Sequence, residues 1–155
     1  MKIVINKCYG GFSLSKAATR RMAELEGRPC YFFKTESSNL NKYVPIGEND
    51  PESLFWLAFD IPNPNEVLID QSNWASMPQE QRESANRLHR KHQLENRPEN
   101  RTCPRLIQVV EELGCEAASG KLAKLAIVEI PDGVEWEIDE YDGIERIAEV
   151  HRTWG

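Results

Sequence analysis

The sequence has no long apolar run. Its longest uninterrupted run goes from Leu54 to Phe59, whereas a helix that spans a bilayer needs about 20 apolar residues. Met1 to Ile5 leads directly into a strand pattern, without the apolar segment and small-residue cleavage site of a secretory signal. We therefore expect no membrane association and a location in the cytoplasm.

Paired cysteines are missing as well. The four cysteines form no CxxC motif; they are Cys8, Cys30, Cys103 and Cys115. In a reducing compartment this arrangement predicts free thiols instead of a disulfide framework. A chain of 155 residues can bury a core without disulfides.

Positive charge is in deficit, since the formal net charge is −6. General nucleic-acid binding draws its affinity from neutralised phosphates, so we do not expect it here. The charge is also unevenly distributed, with cations in excess from Gln81 to Arg105 and carboxylates in excess from Glu116 to Glu149. Such blocks are either two solvated faces of one domain or surfaces that complement charged partners.

The first part of the chain has a strand–helix–strand pattern. Lys2 to Asn6 predicts a strand whose continuous apolar run is typical of a strand covered on both sides. A helix capped by Ser13 or Ser15 should follow and end near Glu26, and Cys30 to Lys34 predicts a second strand. We expect a right-handed crossover with the two strands parallel.

The middle of the chain is polar, and residues 62–101 are predicted to be mobile. Leu54 to Ile61 fits either a helix or a buried strand. Pro78 to about Leu94 has helix-forming composition but few residues to bury, which predicts a solvated helix or a mobile loop.

Order returns near the C-terminus. Cys103 to Leu113 predicts an amphipathic helix, and strands at Leu125 to Ile130 and Val134 to Tyr141 should pair as a hairpin through Pro131–Gly133. The tail, Ile144 to Trp154, fits a helix or, as we prefer, a strand that extends the hairpin into a meander. The whole pattern predicts a single α+β domain.

The two ends of the chain resemble a group of small phage and prophage proteins of no assigned activity. The resemblance rests on KIVINKCYGGFSLS, on CPRLIQVVEELG and on LAIVEIPDGVEWEIDEYDGIERIAEVHRTW, and it does not cover the Asn-rich middle. It implies a gene carried by a bacteriophage. Small phage proteins often act on host proteins or host defence, which is an expectation by association.

The segment from Asn6 to Ser15 is the first candidate site. Cys8 beside Lys7 could be a nucleophile with His151 as its base, oriented by Asp142 or Glu149. Free cysteine is more often inert packing, and no motif supports this pair.

The same segment could instead bind an anion at the start of the following helix. The residues that would form this ligand site are Lys7, Tyr9, Gly10, Gly11, Ser13 and Ser15. The segment matches neither a Walker loop nor a GxGxxG fingerprint, and the glycines could serve only a tight turn.

Partner-binding residues are predicted at two places. Trp74 lacks apolar neighbours in sequence and would suit a partner's pocket, although it could equally fold back over the core. Glu135, Glu137 and Asp139 alternate with apolar residues and should lie on one solvated face, which a basic partner surface would complement.

No metal site or cofactor is predicted. His89, His92, Cys103 and Cys115 have a spacing that matches no standard zinc pattern. The favoured function is that of a phage-encoded accessory protein, located in the host cytoplasm, that binds a host bacterial protein or a small anionic ligand and counters host defence. The alternative is a cysteine-dependent or nucleotide-handling enzyme that uses the Asn6–Ser15 loop.

Overall fold

A computed structural model of the chain describes residues 1–36, 39–47, 50, 55–68 and 74–150. The strands are β1 (Lys2–Asn6), β2 (Tyr31–Glu36), β3 (Asn39–Ile46), β4 (Leu57–Phe59), β5 (Gln93–Leu94), β6 (Leu125–Glu129), β7 (Trp136–Tyr141) and β8 (Ile144–Glu149). The helices are α1 (Lys16–Leu25), α2 (Pro64–Val67), α3 (Gln79–His92), α4 (Pro104–Leu113) and α5 (Cys115–Ala118), with a short 3-10 helix at Trp74–Ser76. The protein is of the α+β class, as predicted, and its strand pairs are antiparallel.

The described chain divides into two compact units. Unit 1 combines Met1–Met22 with the described residues from Asn96 onward, and unit 2 comprises the described residues of Ala23–Glu95. The predictions of a single domain and of a mobile middle segment stay predictions.

Unit 1 is built around β1. This strand pairs with β6 in the register Lys2↔Glu129 to Asn6↔Leu125 and also contacts α4 and β8. Its neighbours therefore cover both faces of an apolar strand, which is what the continuous run Ile3-Val4-Ile5 requires. The residues buried most completely in this unit include Ile3, Val4, Ile5, Leu14, Leu106, Val109 and Val110.

The predicted parallel crossover is wrong. β1 pairs with β6, whereas β2 pairs with β3 and β4, so the two strands belong to different sheets. A continuous apolar run indicates that a strand is covered, but it carries no information on the direction or identity of its neighbour.

The predicted hairpin at Pro131–Gly133 is also wrong, because β6 and β7 lie in different sheets. The tight hairpin joins β7 to β8 instead, with Tyr141 opposite Ile144. Its two central residues, Asp142 and Gly143, have φ of 51° and 85°, as the two-residue turns that suit the twist of a hairpin require. The strand interpretation of the tail is confirmed for Ile144–Glu149, and residues 151–155 lie outside the described part.

Unit 2 contains a four-stranded sheet in the order β3-β2-β4-β5. Its core cluster contains Ala23, Cys30, Phe32, Ala58 and Leu94. The segment left open between helix and strand contains β4, and the helix within Pro78–Leu94 is α3, which buries Ala85.

All four cysteines are free, as predicted. None of the helices in the described part of the chain has both the length and the apolar composition needed to cross a membrane.

Candidate functional site

The loop predicted as a site, Asn6–Ser15, is held between two other turns of unit 1. On one side, the Lys7 amide donates to the Lys124 carbonyl at 2.8 Å, and the Cys8 thiol donates to the Leu122 carbonyl at 3.1 Å. On the other side, the Asn6 side chain donates to the Gly143 carbonyl at 2.6 Å. Three turns far apart in sequence therefore meet at the end of β1.

Asn6 ties these three turns together. It is completely buried, and its Nδ2 donates to the carbonyls of Cys8 and Gly143, each at 2.6 Å. Its Oδ1 accepts from the Lys124 amide at 2.8 Å. A buried amide that satisfies its polar atoms in this way fixes the relative positions of the segments it joins. Asn6 was not among the predicted site residues, although a polar residue that directly follows an apolar run is a visible signal.

Gly10 in the loop and Gly143 in the neighbouring hairpin turn allow close packing between backbones. A Cβ atom on Gly10 would overlap the Leu122 carbonyl oxygen. A Cβ on Gly143 would lie 2.6 Å from the Gly11 amide nitrogen and 2.7 Å from the Tyr9 carbonyl oxygen. Gly11 has space for a Cβ, but its φ of 76° lies in the left-handed region that favours glycine. The turn interpretation of Gly10 and Gly11 therefore has a structural basis that requires no ligand.

The serines of the loop have intramolecular partners. Ser15 caps α1, since the Ala18 amide donates to its Oγ at 3.1 Å, and the same hydroxyl donates to the Ala117 carbonyl at 2.7 Å. The Ser13 carbonyl accepts from the Gly120 amide. The bonds of Ser15 occupy a hydroxyl that a phosphate cradle would use, whereas the Ser13 carbonyl is an acceptor and would not bind an anion. Lys7 and Tyr9 are the exposed side chains of the predicted ligand site.

Cys8 donates its thiol proton to two oxygen atoms, the Leu122 carbonyl at 3.1 Å and Asn6 Oδ1 at 3.5 Å. Both of these partners are hydrogen-bond acceptors, so neither donates a hydrogen bond to the sulfur. A cysteine nucleophile requires the opposite environment, with cations or amide donors around the sulfur. Its predicted base, His151, lies outside the described residues.

A buried ion pair in unit 1 was not foreseen. Arg101 and Glu145 are 3.0 Å apart, with side chains 14% and 7% exposed, and the second carboxylate oxygen accepts from the Asn6 amide at 2.8 Å. The Arg101 guanidinium also stacks 3.3 Å from the centre of the Phe12 ring. Burial lowers the pKa of Arg101, and the Glu145 carboxylate opposes that change. No sequence pattern links two residues so far apart.

The outer face of the β7–β8 hairpin is acidic. Glu137 and Asp139 are exposed, and so is Glu135 just before β7, whereas Trp136 and Ile138 are partly buried. The predicted solvated face is therefore confirmed. In the cross-strand register Asp139 lies opposite Arg146, and their charged groups are 3.8 Å apart.

The two histidines considered for zinc have separate partners in unit 2. His89 Nε2 lies 3.1 Å from the Tyr43 hydroxyl, and His92 Nδ1 lies 2.8 Å from an Asp60 oxygen. Arg28 donates to the other Asp60 oxygen through two nitrogens at 3.0 and 3.1 Å. In the described ranges, no group of three or more His, Cys, Asp or Glu side chains could hold a metal ion.

Burial and hydrogen bonds shift three pKa values in this cluster. Burial lowers the pKa of His89 and raises the pKa of Tyr43. Burial alone would raise the pKa of Asp60, but hydrogen bonds from His92 and Arg28 outweigh it and lower that pKa. His89 is therefore held in its neutral form and Asp60 in its charged form.

Trp74 is partly buried, in the 3-10 helix of unit 2. The Arg82 guanidinium lies 5.8 Å from the centre of a Trp74 ring. The indole is thus partly covered by a neighbouring side chain, and its predicted part in partner binding stays a prediction.

No protein-family model matches the chain, and the searches of curated proteins and of solved structures found no significant match either. The segments that carry the resemblance to phage proteins belong to unit 1 over their described length, and the Asn6–Gly143 and Asn6–Glu145 bonds join two of them. The resemblance itself stays an expectation.

Proposed function

We propose that this protein acts by binding a protein of a bacterial host and that the outer face of the β7–β8 hairpin docks on a basic surface of that partner. The observation that carries this proposal is the set of three exposed carboxylates, Glu135, Glu137 and Asp139, with Arg146 as the cation paired across the strands. The resemblance to phage proteins is the basis for the second part of the proposal, that the protein is an accessory protein that works in the host cytoplasm and counters host defence.

Electrostatic complementarity is the physical basis of the proposal. The exposed carboxylates project from one strand face and repel one another along the strand, while Ala148 lies opposite Glu137 and Arg146 lies opposite Asp139. A basic partner removes that repulsion on docking and gains rate through long-range attraction. The bonds of the Cys8 thiol, which do not suit a nucleophile, favour binding over thiol catalysis.

The experiment compares the parent protein with a variant in which Glu135, Glu137 and Asp139 are replaced by Ser. Each tagged protein is used to capture partners from a bacterial lysate at low salt, and the captured proteins are quantified by mass spectrometry. Association rates with a purified captured protein are then measured over a range of salt concentrations. We expect a basic partner whose association slows as salt rises, and slows further in the variant.

The matched control replaces three exposed glutamates outside the hairpin, Glu80, Glu95 and Glu99, with Ser. It changes the net charge by the same amount, so a local docking face predicts that the control associates at nearly the parental rate. If the hairpin variant is folded and associates as fast as the parent at low salt, the acidic face is only a solvated surface. Equal losses in both variants would assign the effect to net charge and contradict docking through the hairpin.

A further inference from the structure

We propose that this protein forms a symmetric dimer through the tips of the three turns that meet at the end of β1. The surface, called the turn patch below, consists of the side chains of Leu122, Lys124, Tyr9, Tyr141 and Asp142. It goes beyond the proposed function, because it lies at the turns and its occupant is a second copy of the chain.

The turn patch exposes large apolar side chains in an unusual concentration. Tyr9 is 69% exposed, Leu122 55% and Tyr141 74%. Tyr9 and Leu122 lie on turns, and Tyr141 is the last residue of β7, directly before the hairpin turn. The backbones of these three turns touch one another, as the contacts of Gly10 with Leu122 and of Gly143 with Tyr9 show. Exposed apolar side chains grouped in this way mark interaction surfaces, in which tyrosine is enriched.

The turns also have a fixed order across the surface. The Tyr9 turn is in the middle, since its backbone contacts Leu122 on one side and Gly143 on the other. The bonds of buried Asn6 hold all three turns in place. A surface that is already ordered loses little conformational entropy when it binds.

Opposite charges lie at the two ends of this order. Exposed Lys121 and Lys124 flank Leu122 at one end, and exposed Glu140 and Asp142 flank Tyr141 at the end of β7 at the other. A surface of this kind is complementary to itself: a two-fold axis through Tyr9 places Leu122 against Tyr141 of the second copy and Lys124 against Asp142 of the second copy. A uniformly basic or uniformly acidic partner would be repelled at one of the two ends, whereas a second copy satisfies both.

The test is the molecular mass of the full chain in solution, measured by sedimentation with a reducing agent present so that no intermolecular disulfide contributes. Measurements run from about 1 to about 200 μM, which covers the range of weak dimers. We expect a reversible monomer–dimer equilibrium with a micromolar Kd that rises with salt. A chain that stays monomeric over the whole range overturns the proposal.

Two single variants locate the interface. Tyr9→Ser removes the side chain on the axis, and Lys124→Glu places two carboxylates together at both ends of the dimer. Each variant should raise the Kd of the dimer by about tenfold or more. Tyr9→Ser removes a central aromatic anchor, and Lys124→Glu replaces two attractive charge contacts with repulsive ones. Lys34→Glu, at an exposed position of β2 in unit 2, is the control and should leave Kd unchanged. If both variants have the same Kd as the control, the dimer uses another surface, and this result also overturns the proposal.

Mixing two charge-reversed proteins tests the pairing itself. Lys124→Glu and Asp142→Lys should each dimerise poorly alone, and an equimolar mixture should recover the parental mass. In the mixed dimer the two reversed charges face each other at one end, and the native Lys124 and Asp142 meet at the other. Because Asp142 has a left-handed φ, folding of its variant is checked by circular dichroism. If folded variants show no recovery on mixing, Lys124 and Asp142 do not pair and the two-fold arrangement is wrong.

Discussion

The ion pair between Arg101 and Glu145 provides the sharpest test of how unit 1 is stabilised. Arg101→Met keeps much of the side-chain volume over Phe12 but removes the charge, so one carboxylate oxygen of Glu145 loses its partner at 3.0 Å. The other oxygen keeps the Asn6 amide at 2.8 Å. The variant therefore leaves a buried carboxylate half satisfied, which is more costly than the absence of both charges.

The expected cost follows from the burial of the pair. Removing one partner of a buried ion pair typically destabilises a protein by about 3–5 kcal/mol. The side chains retain 14% and 7% exposure, and solvent screening of that kind places the loss near the lower end, at about 3 kcal/mol. A loss of this size is a large part of the total stability of about 5–15 kcal/mol that is usual for a domain.

Urea unfolding of the parent, Arg101→Met, Glu145→Gln and the double variant measures this cost and the coupling between the two groups. Glu145→Gln retains an oxygen that can accept from the Asn6 amide. The double variant should lose less than the sum of the single losses by about 1–3 kcal/mol, since it strands no charge. Arg146→Met, which breaks the exposed pair with Asp139, is the control and should change the midpoint little. A loss below about 1 kcal/mol for Arg101→Met, or strict additivity, would refute the reasoning.

Two further predictions concern pH and proteolysis. Because burial lowers the pKa of His89 below its ordinary value of 6.5, the unfolded chain takes up a proton first as the pH falls. The free energy of unfolding of unit 2 should therefore fall as the pH falls from 6.5 to the pKa of His89 in the folded state, by at most about 1.4 kcal/mol per pH unit. Urea unfolding at a series of pH values measures this slope, and His89→Gln should abolish the part that His89 contributes. Equal slopes of unfolding free energy against pH in the parent and the variant would contradict this prediction. Limited proteolysis should cut first within residues 62–101, where the chain has few apolar side chains to bury; early cuts within Leu125–Tyr141 would show that the order of stability is the reverse.

Local features of the chain were predictable where one short segment contains its own signal. Ser15 caps α1 because its hydroxyl lies three residues before the amide it accepts from, a spacing that can be read directly. α4 follows from its apolar spacing and from Gly114, whose φ of 81° ends it. The solvated face of Glu135, Glu137 and Asp139 follows from the two-residue period of a strand. Asp142–Gly143 is a hairpin signal of the same local kind, but the hairpin turn was predicted at Pro131–Gly133 instead.

Features that depend on partners distant in sequence were decided only by the tertiary structure. The run Ile3-Val4-Ile5 required neighbours that cover both faces of β1. Only the packed chain shows that β6 pairs with β1 in antiparallel register and that β2 belongs to another sheet. The same holds for Asn6, which by itself is one polar residue after a strand and in the fold joins Lys124 and Gly143. Composition and periodicity determined which side chains must leave water, because burial depends on each residue and its near neighbours. They could not determine which segments meet, because many pairings of strands bury the same apolar residues. The choice among these pairings depends on contacts such as that between Arg101 and Glu145, which exist only once the chain has folded.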